Sequence, residues 1–249
     1  MQKRKEEPVE TSIEEAYNDG VFSNKWHAYW CGKALEWLIS MGLSEKNLRL
    51  REHLETELAH YAQQTFDIEY YFPFLGWKEI AGIANRTDYD LRRHAKYSGE
   101  KLYIVQDGRK IFPFCIEPTF GIERIFFALI TEAYTVVNGK IVLKLSPNVA
   151  PFDVGVFPLL KREQFINKAL EINNMLRKNG YATYMDTSGK IGRCYAKADE
   201  IGVPFAITID HQTLKDNTVT VRFRDTKNQV RINIHDLPLK LREFKIQFK

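Results

Sequence analysis

The segment Ser146-Pro147-Asn148-Val149-Ala150-Pro151 places two prolines within six residues, and the pattern of the chain changes there. Proline fixes φ and removes a backbone donor, so this segment interrupts regular structure. Beyond it, apolar strand patterns alternate with helical patterns, in the order 154–158, 162–178, 182–185, 192–200 and 205–209. This alternation predicts an α/β domain with a largely parallel sheet. We therefore predict a domain boundary that divides the chain into 1–146 and 147–249.

The first part favours antiparallel sheet with helices packed against it. Apolar residues at spacings of three and four predict amphipathic helices over 23–41 and 44–61. The pattern further predicts strands over 66–72, 77–84 and 141–145. It predicts a short helix over 90–97, a hairpin around Asp107-Gly108 within 102–116, and a longer helix over 121–137. The predicted fold class is thus α+β, followed by an α/β domain.

Composition excludes several classes of protein. Of 249 residues, 44% are hydrophobic and 27% are charged, which is typical of globular rather than disordered or fibrous chains. The longest apolar run, around Ile125–Ile130, is far shorter than the roughly 20 residues of a membrane span. Residues 1–8 are charged and no apolar segment follows them, so we expect no secretory signal and a cytoplasmic location. Three widely spaced cysteines argue against a disulfide framework.

The net charge of +4 is unevenly distributed along the chain. Residues 1–146 carry 19 Lys and Arg against 21 Asp and Glu, a balance of −2, whereas residues 147–249 carry 17 against 11, a balance of +6. The second part is therefore the better candidate for contact with a polyanion.

One candidate site residue, Glu79, lies in the apolar strand pattern of 77–84, and Arg86 follows just past its end. In a strand, Trp77 and Glu79 share one face. On the concave side of a sheet, the Glu79 carboxylate would be placed to hold an ammonium group or an adenine amine. The alternative is that Glu79 pairs with a neighbouring Lys or Arg on a solvated face.

A second group of candidates occupies 116–124, which is predicted as a strand end, a tight turn and a helix start. Gly121 beside a helix N-terminus allows close backbone approach to a phosphate, and Arg124 in the first turn offers it a charged fork. The alternative is that Arg124 forms a surface pair with Glu123 or Glu132.

Several common catalytic motifs are absent from the sequence. The six histidines form no HExxH or Cys/His set, so we expect no metal site. Neither a P-loop, nor GxGxxG, nor GxSxG occurs.

Taken together, six blocks in order and at matching spacing resemble glycyl-tRNA synthetase of the homodimeric class II type. They are Leu58–Ala62, Gly76–Leu91, His94–Gly99, Glu117–Arg124, Ala150–Leu159 and Gly192–Phe205. The resemblance implies a class II antiparallel catalytic sheet with helices over 1–146 and an α/β anticodon-binding domain over 147–249. It implies a ligase that activates glycine with ATP and Mg²⁺ and transfers it to tRNA-Gly.

The resemblance also implies a role for each matching residue. Catalytic roles fall to Glu79, Arg86, Glu117 and Arg124. Glycine contacts fall to Arg86, Glu117, Pro118, Thr119, Phe120 and Gly121. ATP contacts fall to Glu79, Ile80, Gly121, Ile122, Glu123 and Arg124, of which Gly121 to Arg124 look like class II motif 3. From the basic balance of the second domain, tRNA contacts are assigned to Lys190, Arg193, Arg222, Arg224 and Arg231, with a solvated basic face as the alternative.

The sequence departs from the family pattern in three ways. Thr119 stands where the family usually has Ser, and Cys194 stands where a second Arg is common. Nothing within residues 1–57 resembles class II motif 1, which forms the dimer interface in the family, or motif 2, which supplies an ATP-binding Arg. The chain thus looks like the C-terminal half of the enzyme, and we expect a homodimer or an assembly with a chain that carries motifs 1 and 2.

Two other functions stay open at this point. The first alternative to the ligase is a catalytically silent relative that binds tRNA or DNA as an accessory protein. The second is an adenylate-forming enzyme outside translation. The joint presence of Glu79, Arg86, Glu117 and Arg124 favours the ligase over a pure binding module, which has no physical need for this set.

Overall fold

The computed structural model describes residues 8–247 and divides into two compact units, with the division between Ala128 and Leu129. Each unit is described separately below. Residues 1–7, on which the expectation of no secretory signal rests, lie outside the described residues. The predicted boundary at 146/147 stays a prediction.

The first unit is a four-stranded antiparallel sheet with helices. Its elements in chain order are α1 (Ile13–Asn18), α2 (Lys25–Ser40), β1 (Leu48–Glu52), β2 (Gln64–Phe72), β3 (Gly76–Asn85), α3 (Tyr89–Ser98), β4 (Ile104–Gln106), β5 (Arg109–Ile111) and β6 (Ile116–Phe120). The sheet order is β1-β2-β3-β6, and β4 pairs with β5 in a separate hairpin. Asp107 and Gly108 both have positive φ at that hairpin turn, which is the geometry predicted for this dipeptide.

Helix α2 packs on the apolar face of this sheet. Asn24 caps it by accepting hydrogen bonds from the backbone of Trp26 and His27. Its inward stripe consists of His27, Ala28, Cys31, Ala34 and Leu38, all buried. The small residues of this stripe allow the helix to approach the sheet closely.

The predicted helix over 44–61 is wrong. A 3-10 turn at Glu45–Asn47 leads into strand β1, whose residues pair antiparallel with β2 from Leu48↔Tyr70 to Glu52↔Phe66. The run Leu-Arg-Leu-Arg fits both a helical and an alternating pattern over so short a stretch. The ladder with β2 and the ion pairs across it decide in favour of the strand.

The predicted helix over 121–137 is too long. Helix α4 spans Ile122–Ala133, and the chain continues directly into β7 (Tyr134–Val137), which pairs with β8 (Lys140–Leu143). Asn138 and Gly139 both adopt positive φ in the turn between these strands. Residues 134–137, the end of the predicted helix, therefore form the first strand of a hairpin.

The second unit contains a five-stranded mixed sheet with helices on both faces. Its remaining elements are β9 (Val154–Pro158), α5 (Glu163–Lys178), β10 (Thr183–Met185), α6 (Ile191–Glu200), β11 (Phe205–Ile209), α7 (Thr213–Asp216), β12 (Thr218–Phe223), β13 (Gln229–Asn233) and α8 (Leu237–Gln247). The order is β10-β9-β11-β12-β13, in which β10, β9 and β11 are parallel and the last two strands are antiparallel. The predicted strand-helix alternation is confirmed.

Strand alternation in β9 separates the two cores of this unit. Val154 and Val156 face the cluster that contains α5 and α8, whereas Phe157 faces Cys194 and Ala198 of α6. Gly155 shares the face of Phe157. A Cβ at Gly155 would lie 2.6 Å from Phe157 Cζ, so only glycine leaves room for this fully buried ring.

We predict that Gly155→Ala destabilises the second unit by about 1–3 kcal/mol, because the added methyl forces the Phe157 ring from its position. Differential scanning calorimetry measures the effect. Gly192→Ala is the matched control, since its Cβ meets no atom within 4 Å on helix α6, and it should be neutral or slightly stabilising. Equal transition temperatures for the two variants would contradict this account of the core.

A buried polar group lies between α2 and the sheet. His27 is fully buried, with Nε2 at 2.9 Å from the carbonyl oxygen of Ile83 and Nδ1 at 3.2 Å from Gln64 Oε1. Gln64 in turn donates to Glu52 Oε1 at 2.8 Å. Burial lowers the pKa of His27 below its usual value, and the hydrogen bonds to Ile83 and Gln64 offset this only in part.

We predict that the first unit loses stability as pH falls below about 6.5, because the unfolded chain then protonates His27 more readily than the folded chain does. The contribution is fully present above that pH. Tryptophan fluorescence during urea unfolding reports this unit alone, since all four tryptophans lie between Trp26 and Trp77. His27→Gln should flatten the dependence on pH, whereas His94→Gln, at an exposed position, should not. An unchanged slope in His27→Gln would refute the assignment.

Candidate active site

One face of the first unit's sheet carries the polar candidates. In the antiparallel register, Gly82 of β3 lies between Asp67 of β2 and Thr119 of β6, and Ala84 is opposite Glu117. Residues that alternate with these face the other side. Successive strands thus present Asp67, Thr119 and Glu117 on one continuous surface.

At one end of this surface, Arg86 connects two carboxylates. Its Nη1 donates to Glu117 Oε2 at 2.7 Å, and its Nη2 donates to Asp90 Oδ1 at 2.8 Å. The guanidinium carbon lies 3.9 Å from the ring centre of Tyr61. This packing holds the Arg86 fork in one orientation.

The charges in this cluster stabilise each other. Hydrogen bonding to Asp90 raises the pKa of Arg86 above its ordinary value, against the smaller effect of burial. The same hydrogen bond lowers the pKa of Asp90. Arg86 is therefore a permanent cation, and its half-exposed partner Glu117 remains open to solvent.

Further along the same strand, Glu79 and Arg124 form a second group. Arg124 Nη1 is 3.1 Å from Glu79 Oε2 and donates to the Glu79 carbonyl at 3.0 Å. The Gly121 amide donates to the Ile80 carbonyl at 2.9 Å, which ties the start of α4 to β3. A Cβ on Gly121 would lie 3.2 Å from that carbonyl, so a larger residue would push the two backbones apart by a few tenths of an ångström.

A bulge in β3 directs these side chains. The register with β2 shifts between Ile68 and Glu69, where Ile80 is the extra residue. Ile80 and Ala81 are both buried, and Glu79 turns outward on the far side of the bulge. The bulge brings Glu79 Oε1 to 3.9 Å from the position of a Cβ on Gly82, and Asp67 Oδ1 lies 3.7 Å from the same point.

Beside Glu79 and Arg124 lies a cleft of about 490 Å³. Its lining combines aromatic and apolar side chains with charged ones and comprises Glu69, Phe72, Leu75, Trp77, Lys78, Glu79, Arg124 and Phe127. A concave site with apolar walls and a few charged groups is the usual form of a small-molecule site.

Sequence reasoning missed the charged floor beside this cleft. Arg49 donates to Glu69 at 2.6 Å and lies 4.3 Å from the ring centre of Trp77. Arg51 bonds Asp67 at 2.9 Å and Glu69 at 3.2 Å. The alternation of Arg49 and Arg51 with two leucines, matched by Asp67 and Glu69 on the next strand, is the signal that could have found these four residues. Over so short a stretch the same run also fits the helical period.

Other predicted residues are not brought to this surface. Pro118 and Phe120 alternate with Glu117 and Thr119 onto the opposite face of β6, where the Phe120 ring lies 5.0 Å from the Trp37 ring. Ile122 and Glu123 lie in the first turn of α4 with exposed side chains. Among residues 8–247, no group of three or more His, Cys, Asp or Glu is placed to hold a metal ion.

In the second unit, three predicted tRNA contacts are held by acidic partners. Arg222 makes a buried two-pronged pair with Asp199 at 2.9 Å, and Arg224, almost fully buried, pairs with Asp225. Arg231 pairs with Asp210. Burial raises the pKa of Asp199, but the hydrogen bonds from Arg222 and Lys227 outweigh it and leave that pKa below its usual value.

The other two predicted contacts, Lys190 and Arg193, are exposed at the start of α6. They lie beside the loop in which Asp186 bonds Ser188 and Lys197. Their charge is thus available at the surface of the second unit, whereas Arg222 and Arg224 stabilise its interior.

Comparison with known proteins supplies an independent line of evidence. A family model described as an anticodon binding domain matches residues 153–244. A glycine–tRNA ligase of Clostridium tetani is 44% identical over 231 residues, which cover 90% of this chain and 49% of that relative. The corresponding protein of Caldanaerobacter subterraneus subsp. tengcongensis is 46% identical over the same shares.

A relative of lower identity shows a match of similar extent. The glycine–tRNA ligase of Methanothermobacter thermautotrophicus is 36% identical over 304 residues, covering 92% of this chain and 54% of the relative. The chain therefore spans about half the length of the curated relatives it matches.

The predicted order of a mixed helix and sheet fold followed by an anticodon-binding domain is confirmed. Among residues 8–247, the structure contains no helix long and apolar enough to cross a membrane. Over 90% of its length the chain is similar to glycine–tRNA ligases and fits the C-terminal half of these synthetases, and its residues 153–244 match an anticodon-binding domain.

Proposed function

We propose that the chain is the C-terminal part of a glycine–tRNA ligase, which activates glycine with MgATP and transfers it to tRNA-Gly. The observation that carries the proposal is the single sheet face on which the Arg86–Glu117 pair and the Glu79–Arg124 pair lie. Each pair is complementary to one substrate. The identity to named glycine–tRNA ligases over 90% of the chain supports this choice over an accessory protein.

The Arg86–Glu117 pair suits an amino acid zwitterion. Glu117 would accept hydrogen bonds from the ammonium group, and Arg86 would orient the carboxylate. Asp90 and Tyr61 hold the guanidinium of Arg86 in place. Thr119, opposite Gly82, would crowd the position of a substrate Cβ and disfavour larger amino acids by sterics.

The Glu79–Arg124 pair suits the nucleotide. Arg124 would replace its contact with Glu79 by a contact with a phosphate oxygen of MgATP. Glu79 would then accept a hydrogen bond from the adenine amine. The Gly121 turn admits the phosphate close to the backbone. In the reaction, a carboxylate oxygen of glycine attacks the α-phosphate and pyrophosphate leaves, so catalysis needs positioning and charge neutralisation more than a general base.

The unpaired outer edge of β6 supports the proposal that the first unit binds a protein partner. Cys115 and Gly121, which flank β6, direct their backbone groups to the β3 side. By the alternation of an antiparallel ladder, Ile116, Pro118 and Phe120 direct theirs outward. No described strand pairs with this outer edge. Trp26, Trp30 and Trp37 of α2 are each more than 40% exposed. We propose that these features meet a polypeptide carrying motifs 1 and 2, or a second copy in a homodimer.

The second unit would hold the tRNA. We assign the phosphate contacts first to Lys190 and Arg193, since both are exposed beside a helix start. A cytoplasmic location, where translation takes place, belongs to the same proposal.

The direct test is glycine-dependent ATP–pyrophosphate exchange, measured with the purified chain alone and after mixing with a polypeptide that supplies motifs 1 and 2. We expect exchange with glycine and not with alanine, and at its highest in the mixture. If neither sample catalyses exchange while tRNA still binds, the ligase proposal is wrong and the chain is a catalytically silent tRNA-binding relative.

Two substitutions separate the substrate roles. In the exchange-competent assembly, Glu117→Gln should raise the KM for glycine by about tenfold or more with the KM for ATP unchanged, because it removes a charge-assisted hydrogen bond. Arg124→Ala should raise the KM for ATP and leave that for glycine. Arg92→Ala, an exposed pair with Asp88, is the matched control. Equal effects of both substitutions on both substrates would contradict the separation.

A further inference from the structure

Gly82 lies between the two ion pairs of the candidate site. Along the polar face of β3, Glu79 precedes it, and Arg86 follows it just past the end of the strand. The partners of these two residues, Arg124 of α4 and Glu117 of β6, reach the same face. Residues that share one face of a strand repeat about every 6.6 Å, so a small ligand that contacts both pairs lies over Gly82.

The fold of the first unit does not itself require glycine at this position. Gly82 has ordinary strand backbone without a positive φ. A Cβ on Gly82 would lie 3.7 Å from Asp67 Oδ1 and 3.9 Å from Glu79 Oε1, which are ordinary van der Waals distances. Glycine inside a strand costs conformational entropy on folding, and it often marks a place where a ligand approaches the backbone closely. A ligand therefore explains the glycine better than the packing of the protein does.

The residues on either side of Gly82 are held in place. Asp67 is buried, its Oδ2 accepts a hydrogen bond from Arg51 at 2.9 Å, and its Oδ1 lies 2.8 Å from His53 Nε2. On the other side, Thr119 is directly opposite Gly82 in the ladder between β3 and β6. Because hydrogen bonds and strand pairing fix both neighbours, a methyl group on Gly82 would take its volume from the ligand.

We infer that Gly82 determines how closely the two substrates approach each other, because the carboxylate of glycine and the α-phosphate of ATP meet over this residue. This inference rests on the proposed function, in which Arg86 and Glu117 hold glycine and Arg124 holds ATP. A bond forms between a glycine carboxylate oxygen and the α-phosphorus, and the bond from that phosphorus to pyrophosphate breaks. The reacting atoms therefore lie between the two pairs, where a misplacement of about 1 Å can lower the rate about 100-fold.

The first test compares Gly82→Ala with the parent in glycine-dependent ATP–pyrophosphate exchange by the exchange-competent assembly. We expect kcat to fall about 100-fold while the KM for ATP stays within about twofold, because the Arg124 end of the site is unchanged. The transition temperature of the variant should equal or exceed that of the parent, since alanine loses less conformational entropy on folding than glycine does. A merely structural role would lower the rate and the stability together.

Gly32→Ala is the matched control for the added methyl group. Gly32 is a half-buried glycine of the same unit, and a Cβ there would lie 3.5 Å from Ile13 Cγ1, again an ordinary contact. It belongs to α2, on the apolar side of the sheet, so this variant should exchange as the parent does. The double variant Gly82→Ala, Thr119→Ser adds a methyl group on one side of the site and removes one opposite it. We expect it to exchange at least about fivefold faster than Gly82→Ala alone.

Ligand binding separates the meeting point from the two substrates. The probe is the sulfamoyl analogue of glycyl-adenylate, in which the glycyl and adenosyl groups are already joined, and isothermal titration calorimetry compares it with ATP. We expect Gly82→Ala to bind the analogue about tenfold or more weakly and ATP within about twofold of the parent. Equal losses for both ligands, or unchanged exchange by Gly82→Ala, would overturn the inference and leave the proposed ligase standing. If the parent neither exchanges nor binds the analogue, the ligase proposal is refuted and this inference falls with it.

Discussion

The pairing of β3 with β6 is the constraint on which the candidate site depends. It joins residues more than 30 positions apart in sequence, such as Gly82 with Thr119 and Ala84 with Glu117. The pairing brings Glu117 to Arg86, and it anchors the start of α4 through the Gly121 amide. A shift of one residue in this register would turn Glu117 and Thr119 into the core and bring Pro118 and Phe120 to the polar face. The apolar packing of Phe120 against Trp37 opposes such a shift.

The charges on the polar face are organised as pairs rather than as free ions. Arg86 with Glu117, Arg124 with Glu79, and Arg49 and Arg51 with Asp67 and Glu69 leave little net charge on the sheet. Such ion pairs suit charged ligands, because a charged group of a zwitterion or a phosphate can take the place of one member of a pair beside the other member. The floor carboxylates Asp67 and Glu69 are buried and orient the face, whereas the carboxylates of Glu79 and Glu117 are about half exposed and remain exchangeable.

The second unit uses its basic residues in two ways. Arg222 and Arg224 are buried and satisfied by Asp199, Asp225 and the Gly202 carbonyl, so their charge stabilises the domain. A buried guanidinium without such partners would be costly, which explains why these acids accompany them. Lys190 and Arg193 keep their charge at the surface. The positive balance of this half of the chain is therefore only partly available for contact with RNA.

The sequence by itself determined the strand-helix alternation of the second unit, the hairpin at Asp107-Gly108 and the family blocks that carry Glu79, Arg86, Glu117 and Arg124. Local patterns suffice for these because period and turn chemistry act over a few residues. The identity of β1 could not be read in the same way, since Leu-Arg-Leu-Arg satisfies two periods and only pairing with Asp67 and Glu69 selects the strand. Likewise, only the tertiary structure decided that Pro118 and Phe120 leave the polar face, that Arg222 and Arg224 are interior, and that a bulge at Ile80 turns Glu79 toward Arg124. These outcomes depend on contacts between residues far apart in the chain, whose free energies no local pattern contains.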